Sequence, residues 1–90
     1  MKLNQGAVRR VISIAQIRAA RGLLGWSQAE LAEAAKLSRP TIERAETKTV
    51  SETTIEAIRR ALEKAGVIFV ESNGDGPGVR LRKPTRARQV

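Results

Sequence analysis

The chemistry open to this chain is that of guanidinium, ammonium, hydroxyl and carboxylate groups, because its 90 residues include neither histidine nor cysteine. The commonest general base and zinc ligand is therefore missing, and disulfides and thiolate metal sites are excluded. The richest functional stretch is SRPTIER, residues 38–44, which sets Arg39 and Arg44 beside the hydroxyls of Ser38 and Thr41. An arginine offers a planar fork of donors that grips a phosphate or another flat acceptor with two hydrogen bonds at once. No paired carboxylates in a glycine-shaped pocket and no phosphate loop accompany these arginines, so an enzyme is not expected. NGDGPG, residues 73–78, holds one aspartate, too few for a calcium site. No metal, cofactor or small-molecule ligand is expected.

Charge points to a partner class. The net charge is +8. Lys2, Arg9 and Arg10 stand in residues 1–12 without an acid, and Arg80, Arg82, Lys83, Arg86 and Arg88 stand in 80–90 without an acid. Between them, residues 13–79 hold nine bases and nine acids and are formally neutral. A neutral body with two basic ends suits a polyanion such as nucleic acid; the plainer alternative is that basic tails keep a small protein soluble. The length suits one domain with a modest core. Trp26 and Phe69 are the only aromatic residues, so that core must be aliphatic and alanine-rich, which favours closely packed helices. No apolar run is long enough to span a bilayer, and the N-terminus has no signal-peptide core. A soluble, cytoplasmic protein with no membrane partner is expected.

The elements that must position SRPTIER are announced by serines. Four of the five serines follow one pattern: an apolar residue, Ser, three residues, an apolar residue. The instances are Ile12-Ser13 to Ile17, Trp26-Ser27 to Leu31, Leu37-Ser38 to Ile42 and Val50-Ser51 to Ile55. Each is a helix N-cap with a hydrophobic staple: the hydroxyl accepts from an orphan backbone N–H while the apolar pair fixes the entry of the chain. Ser13 with Gln16 and Ser27 with Glu30 add capping boxes. Trp26 is therefore read as the staple partner of Leu31 and not as a base-stacking platform.

Four helices follow, over about 14–24, 28–35, 39–47 and 52–65. Ile14, Ile17 and Leu24 face inward on the first, and Ile55, Ile58, Leu62 and Ala65 on the fourth. Gly25 and Gly66 are stop signals, and Pro40 falls in a first turn, where its missing N–H costs little. Beyond Gly66, VIFVE (67–71) and VRLRK (79–83) flank the turn-rich SNGDGPG and predict a β-hairpin with a long loop. The expected organisation is a basic N-terminal arm (1–12), a helical domain (13–66), the hairpin (67–83) and a basic flexible tail (84–90). AVRRV, within the arm, reads equally as a short strand or a flexible segment.

Helix, the three-residue turn Lys36-Leu37-Ser38, helix is the helix-turn-helix layout. RAARGLLGWSQAELAEAAKLSRPTIERAE, residues 18–46, resembles the first three helices of the lambda-repressor/Cro family, also called the xenobiotic-response-element (XRE) family. The resemblance covers roughly 14–65, and some small regulators of that family end in a similar GPGVRL. It implies a mainly α fold: a four-helix lambda-repressor-like DNA-binding domain with a C-terminal β-hairpin. Leu31, Ala32, Leu37, Ile42 and Ala45 match the family's core positions, and Arg21 and Glu46 match a pair that often bridges the first and third helices. Either of these two, buried alone, would be costly. Lys36 departs from the family by standing where glycine is usual, and a left-handed conformation costs a non-glycine residue about 1 kcal/mol, so a tilted turn is expected. The segment after the third helix also lacks the usual glycine.

The resemblance implies a function as a sequence-specific, double-stranded-DNA-binding transcriptional regulator whose third helix enters the major groove. On a helical wheel Ile42, Ala45 and Glu46 share one side of that helix, and Pro40, Arg44 and Thr47 the other, with Arg39 leading. Arg39 and Arg44 are the expected base readers, as bidentate donors to guanine. Thr41 would bond a base or phosphate, and Pro40 would pack on a thymine methyl. Gln28, at a family position that contacts backbone phosphate, joins Ser38 and Lys48 as a phosphate contact. Glu43 is awkward near DNA: it would accept from cytosine, or orient Arg39 or Arg44.

VIFV is apolar on both faces, too much for a half-exposed strand. It is either covered by its own helical body or met by a second copy; the expectation is a homodimer through Val67, Ile68, Phe69 and Val70, on a palindromic operator. The alternative function is a protein-binding antiactivator or antitoxin using the same fold.

Overall fold

A computed structural model describes residues 12–71, 74 and 76–82 of the chain. The elements in order are α1 (Ile14–Leu24), α2 (Gln28–Ala35), α3 (Arg39–Ala45), α4 (Glu52–Lys64), β1 (Val67–Val70) and β2 (Gly78–Leu81). The fold is mainly α, four helices followed by a two-stranded antiparallel hairpin. Residues 1–11, the loop residues 72, 73 and 75, and residues 83–90 lie outside the described residues, and with them nearly all of the basic arm and the whole tail.

Each helix opens on its serine. The hydroxyl oxygens of Ser13, Ser27, Ser38 and Ser51 accept from the backbone N–H groups of Gln16, Glu30, Thr41 and Thr54 at 3.1, 3.1, 3.2 and 3.2 Å. In the first two cases the side chain three residues on reaches back to the cap's own N–H, at 2.9 Å for Gln16 and 2.7 Å for Glu30. These local bonds satisfy orphan donors at the start of helices too short to persist alone.

The ends follow the same local logic. Gly25 caps α1 in the left-handed region. Lys36 caps α2 there too, with φ 59 and ψ 44, and is the single non-glycine residue at positive φ among the described residues. The turn takes this conformation without glycine, and Leu37 N–H donates to Ala32 C=O at 2.9 Å, the wide-ring bond of a Schellman closure. Lys36→Gly should therefore stabilise the domain by about 1 kcal/mol, and Lys36→Val, β-branched at the same φ, should destabilise it by at least as much. Urea midpoints of the three proteins check the order.

The core is aliphatic. Ile17, Leu31, Ile42, Ile58 and Leu62 are fully buried, with Ala20, Ala32 and Ala45 where helices approach closely. Ile14, Leu24, Leu37, Ile55 and Ala65 are only half-buried. Ile12, named above as a staple residue at the edge of the basic arm, is buried against the core. An isoleucine one residue before a cap is the outer half of a staple, so it belongs to the helix it introduces.

One face of the hairpin packs on its own helices. β1 packs on α4, and β2 packs on α1. Val67 pairs with Leu81 and Phe69 with Val79 across the sheet. Val67 is buried, and Phe69 and Val79 pack against the core. Because side chains alternate along a strand, Ile68 and Val70 project to the other face, where both are half-buried. Of the four residues expected at a dimer contact, Val67 and Phe69 thus face their own core, Val67 buried and Phe69 half-buried. One side chain ties the sheet to the bundle: Gln16 is buried, and its Nε2 donates to the carbonyls of Gly78 (2.9 Å) and Val70 (3.4 Å).

Candidate nucleic-acid interface

α2 and α3 pack directly on one another across the turn 36–38. On α3 the inner face holds Ile42 and Ala45, and the outer face leaves Arg39, Pro40, Glu43 and Arg44 exposed. The helix ends at Ala45, two residues short of the sequence expectation. Glu46 leaves helical geometry at φ −92, ψ 0. Thr47 turns its hydroxyl back to the carbonyls of Glu43 (3.0 Å) and Arg44 (3.3 Å), a local bond that competes with helix continuation.

Glu46 is 4% exposed. Its carboxylate is held bidentately by Arg21, from Nε at 2.7 Å and Nη2 at 3.1 Å. The third nitrogen of that guanidinium, Nη1, donates to the carbonyl of Trp26 at 2.8 Å. The hydrogen bond to Glu46 raises the pKa of Arg21 further above its already high ordinary value. α1, the start of α2 and the end of α3 are thereby locked to one another.

Glu46 has another partner. Gln28, the first residue of α2, donates from Nε2 to Glu46 Oε1 at 3.1 Å, and its Oε1 accepts from Arg39 Nη1 at 3.3 Å. Arg39 thus reaches across to α2 and is not held by Glu43. Further along α3, Ser38 and Thr41 share a hydroxyl–hydroxyl bond at 2.8 Å, and Arg44 Nη2 donates to Thr41 Oγ1 at 3.4 Å. Lys48 is exposed just beyond, its backbone N–H bonded to Arg44 C=O at 2.8 Å. Ser38, Arg39, Pro40, Thr41 and Arg44 therefore share α3 and its cap, Lys48 follows at its end, and Gln28 adjoins Arg39.

Two arginines of α4 are answered by acids. On α4, Arg59 pairs with Glu56 and Glu63, and Arg60 pairs with Glu56. Hydrogen bonds from Arg59 and Arg60 lower the pKa of Glu56, and the bond to Glu56 raises that of Arg59. Arg39 and Arg44, by contrast, bond neutral partners, so their charge stays available to an anion. The Gln28–Glu46 bond escaped the sequence reading; the spacing of residue 28 from residue 46 carries no local period.

Residues 17–67, more than half of the chain, match the family model described as helix-turn-helix. The match runs from within α1 to the first residue of β1. No curated protein matches the chain significantly.

Proposed function

The chain belongs to the helix-turn-helix family of lambda-repressor/Cro-type DNA-binding regulators, and from that membership we propose that α3 enters the major groove of double-stranded DNA and reads its sequence. The observation that carries this reading is the outer edge of α3: two exposed arginines, bonded to neutral groups, on a helix fixed from behind by a buried ion pair. Arg39 and Arg44 donate to guanine edges, Thr41 bonds a base or phosphate, and Pro40 meets a thymine methyl. Ser38 and Lys48 contact phosphate. The phosphate role of Gln28 falls to its main-chain amide at the start of α2, since its side chain is engaged at both ends.

Useful operator affinity from so small an interface calls for two copies on a palindrome, with half-sites about one helical turn apart. Ile68 and Val70, on the hairpin face turned from the core, are the proposed contact between copies. A monomeric mass at high micromolar concentration would count against that contact. Among the described residues no helix is long and apolar enough to cross a membrane.

Selection from random duplex DNA, followed by binding across salt concentrations, tests the function. A recovered palindrome with a steep salt slope is the expected outcome. No enrichment would favour a protein-binding antiactivator or antitoxin instead. Lys48→Ala should weaken preferred and scrambled duplexes equally and flatten the salt slope by about 1, leaving base preferences intact; affinities for a panel of single-base variants of the site check it.

A further inference from the structure

The two sides of the hairpin differ in charge. Val67, Phe69 and Val79 share the side that meets the helices. Ile68 and Val70 share the other side with Arg80, which stands directly opposite Ile68 in the register. Arg82 comes next on that side. Its backbone N–H donates to the carbonyl of Gly66 at 2.7 Å and carries the pairing one step past Val67 and Leu81. Both arginines are exposed. Ion pairs among the described residues are made by Arg21, Arg59 and Arg60, and not by these two. Nor does that side carry an acid of its own: its described residues are Gly66, Ile68, Val70, Gly78, Arg80 and Arg82.

This is the side on which Ile68 and Val70 are proposed above to meet a second copy. A two-fold contact brings the same patch from each partner. It therefore gathers two copies of Arg80 and two of Arg82 around the apolar side chains. Sheets packed face to face lie about 10 Å apart, and charges are screened over about 8 Å at physiological salt. The repulsion is thus only partly screened: burial of Ile68 and Val70 favours the contact, and the arginines oppose it. We propose that Arg80 and Arg82 form a charge barrier on the face between copies. Free copies stay apart at low ionic strength, and they pair where salt screens the arginines or where one duplex holds both copies at high effective concentration. This rests on the contact between copies proposed above and adds its regulation. It gives the chain two salt dependences of opposite sign: binding to DNA weakens as salt rises, whereas association of the copies strengthens.

Sedimentation of the full chain without DNA tests the barrier, in sodium chloride at roughly 50 and 500 mM, where the screening length passes from above the sheet spacing to below it. The parent should associate about 5-fold more tightly at the higher salt, the scale of a few exposed like-charge pairs. Arg80→Gln combined with Arg82→Gln should associate about 10-fold more tightly than the parent at the lower salt and lose most of the salt dependence. Both side chains are exposed, so the urea midpoint should not move. Arg18→Gln removes one charge from the exposed side of α1 and should change association by less than about 2-fold, which separates the barrier from net charge. The proposal is overturned if the double variant associates no more tightly than the parent or than Arg18→Gln, or if association of the parent weakens with salt. The contact between copies survives those results where Ile68→Ala still weakens association. If no variant associates at either salt, and a half-site is bound as tightly as the palindrome, the contact itself fails, and the barrier with it.

Discussion

Arg21→Ala should cost the domain about 3 kcal/mol, the lower end of what breaking a buried ion pair costs. The lower end applies because Arg21 keeps 24% of its side chain exposed, so water partly screens the pair. Glu46 sets the size of the effect. At 4% exposure its carboxylate would be left, among the described residues, with Gln28 as its one side-chain partner. The carbonyl of Trp26 would also lose its donor. A domain of this size is stable by roughly 5–15 kcal/mol in all, so the variant should unfold at clearly lower urea and loosen α3 first. Removing both charges should hurt less than removing one: Arg21→Ala with Glu46→Leu should recover part of the loss, because no buried charge is stranded. A single variant costing under about 1 kcal/mol would mean that the carboxylate is solvated by another route.

Arg44→Ala should act on binding and leave folding alone. The side chain is exposed, and its one described bond is a long contact with Thr41 within the same helix. Its removal should cost about 1–3 kcal/mol on the preferred duplex and relax one base position, the signature of a lost bidentate pair with guanine. The urea midpoint should stay within about 0.5 kcal/mol of the parent, as for other surface substitutions. A uniform loss over all sequences would make Arg44 a phosphate contact, and an unchanged affinity would refute the proposed docking of α3. The two variants thus separate the frame from the reader: one loosens the platform, the other strips a group from it.

Much of that platform was legible in the residue order, and the reason is range. A serine cap, its staple and its box involve groups within a few residues of one another, so Ser13, Ser27, Ser38 and Ser51 announce four helix starts wherever the chain is placed. The wheel of α3 likewise follows from its period: Ile42, Ala45 and Glu46 turn inward, and Pro40 and Arg44 outward. Helix ends were less legible. α3 stops at Ala45, where the Glu46 backbone leaves helical geometry and the Thr47 hydroxyl also bonds the carbonyls of Glu43 and Arg44, contacts that propensity does not display. The side of the hairpin that meets the core was open as well. VIFV is apolar on both faces, and only contact with α1 and α4 chose Val67 and Phe69 for the interior.

By itself, the sequence determined where each helix begins, which face of α3 is apolar, and that the excess charge gathers at the two ends around a neutral body. Tertiary structure decided what the long polar side chains do. Gln16, legible as a capping residue, also holds both strands of the hairpin. Gln28, expected from the sequence to contact phosphate, spans Glu46 and Arg39. The physical reason is the same in both cases. An amide donates at one end and accepts at the other, so its role is set by the groups that folding brings to face it, and those groups come from distant parts of the chain.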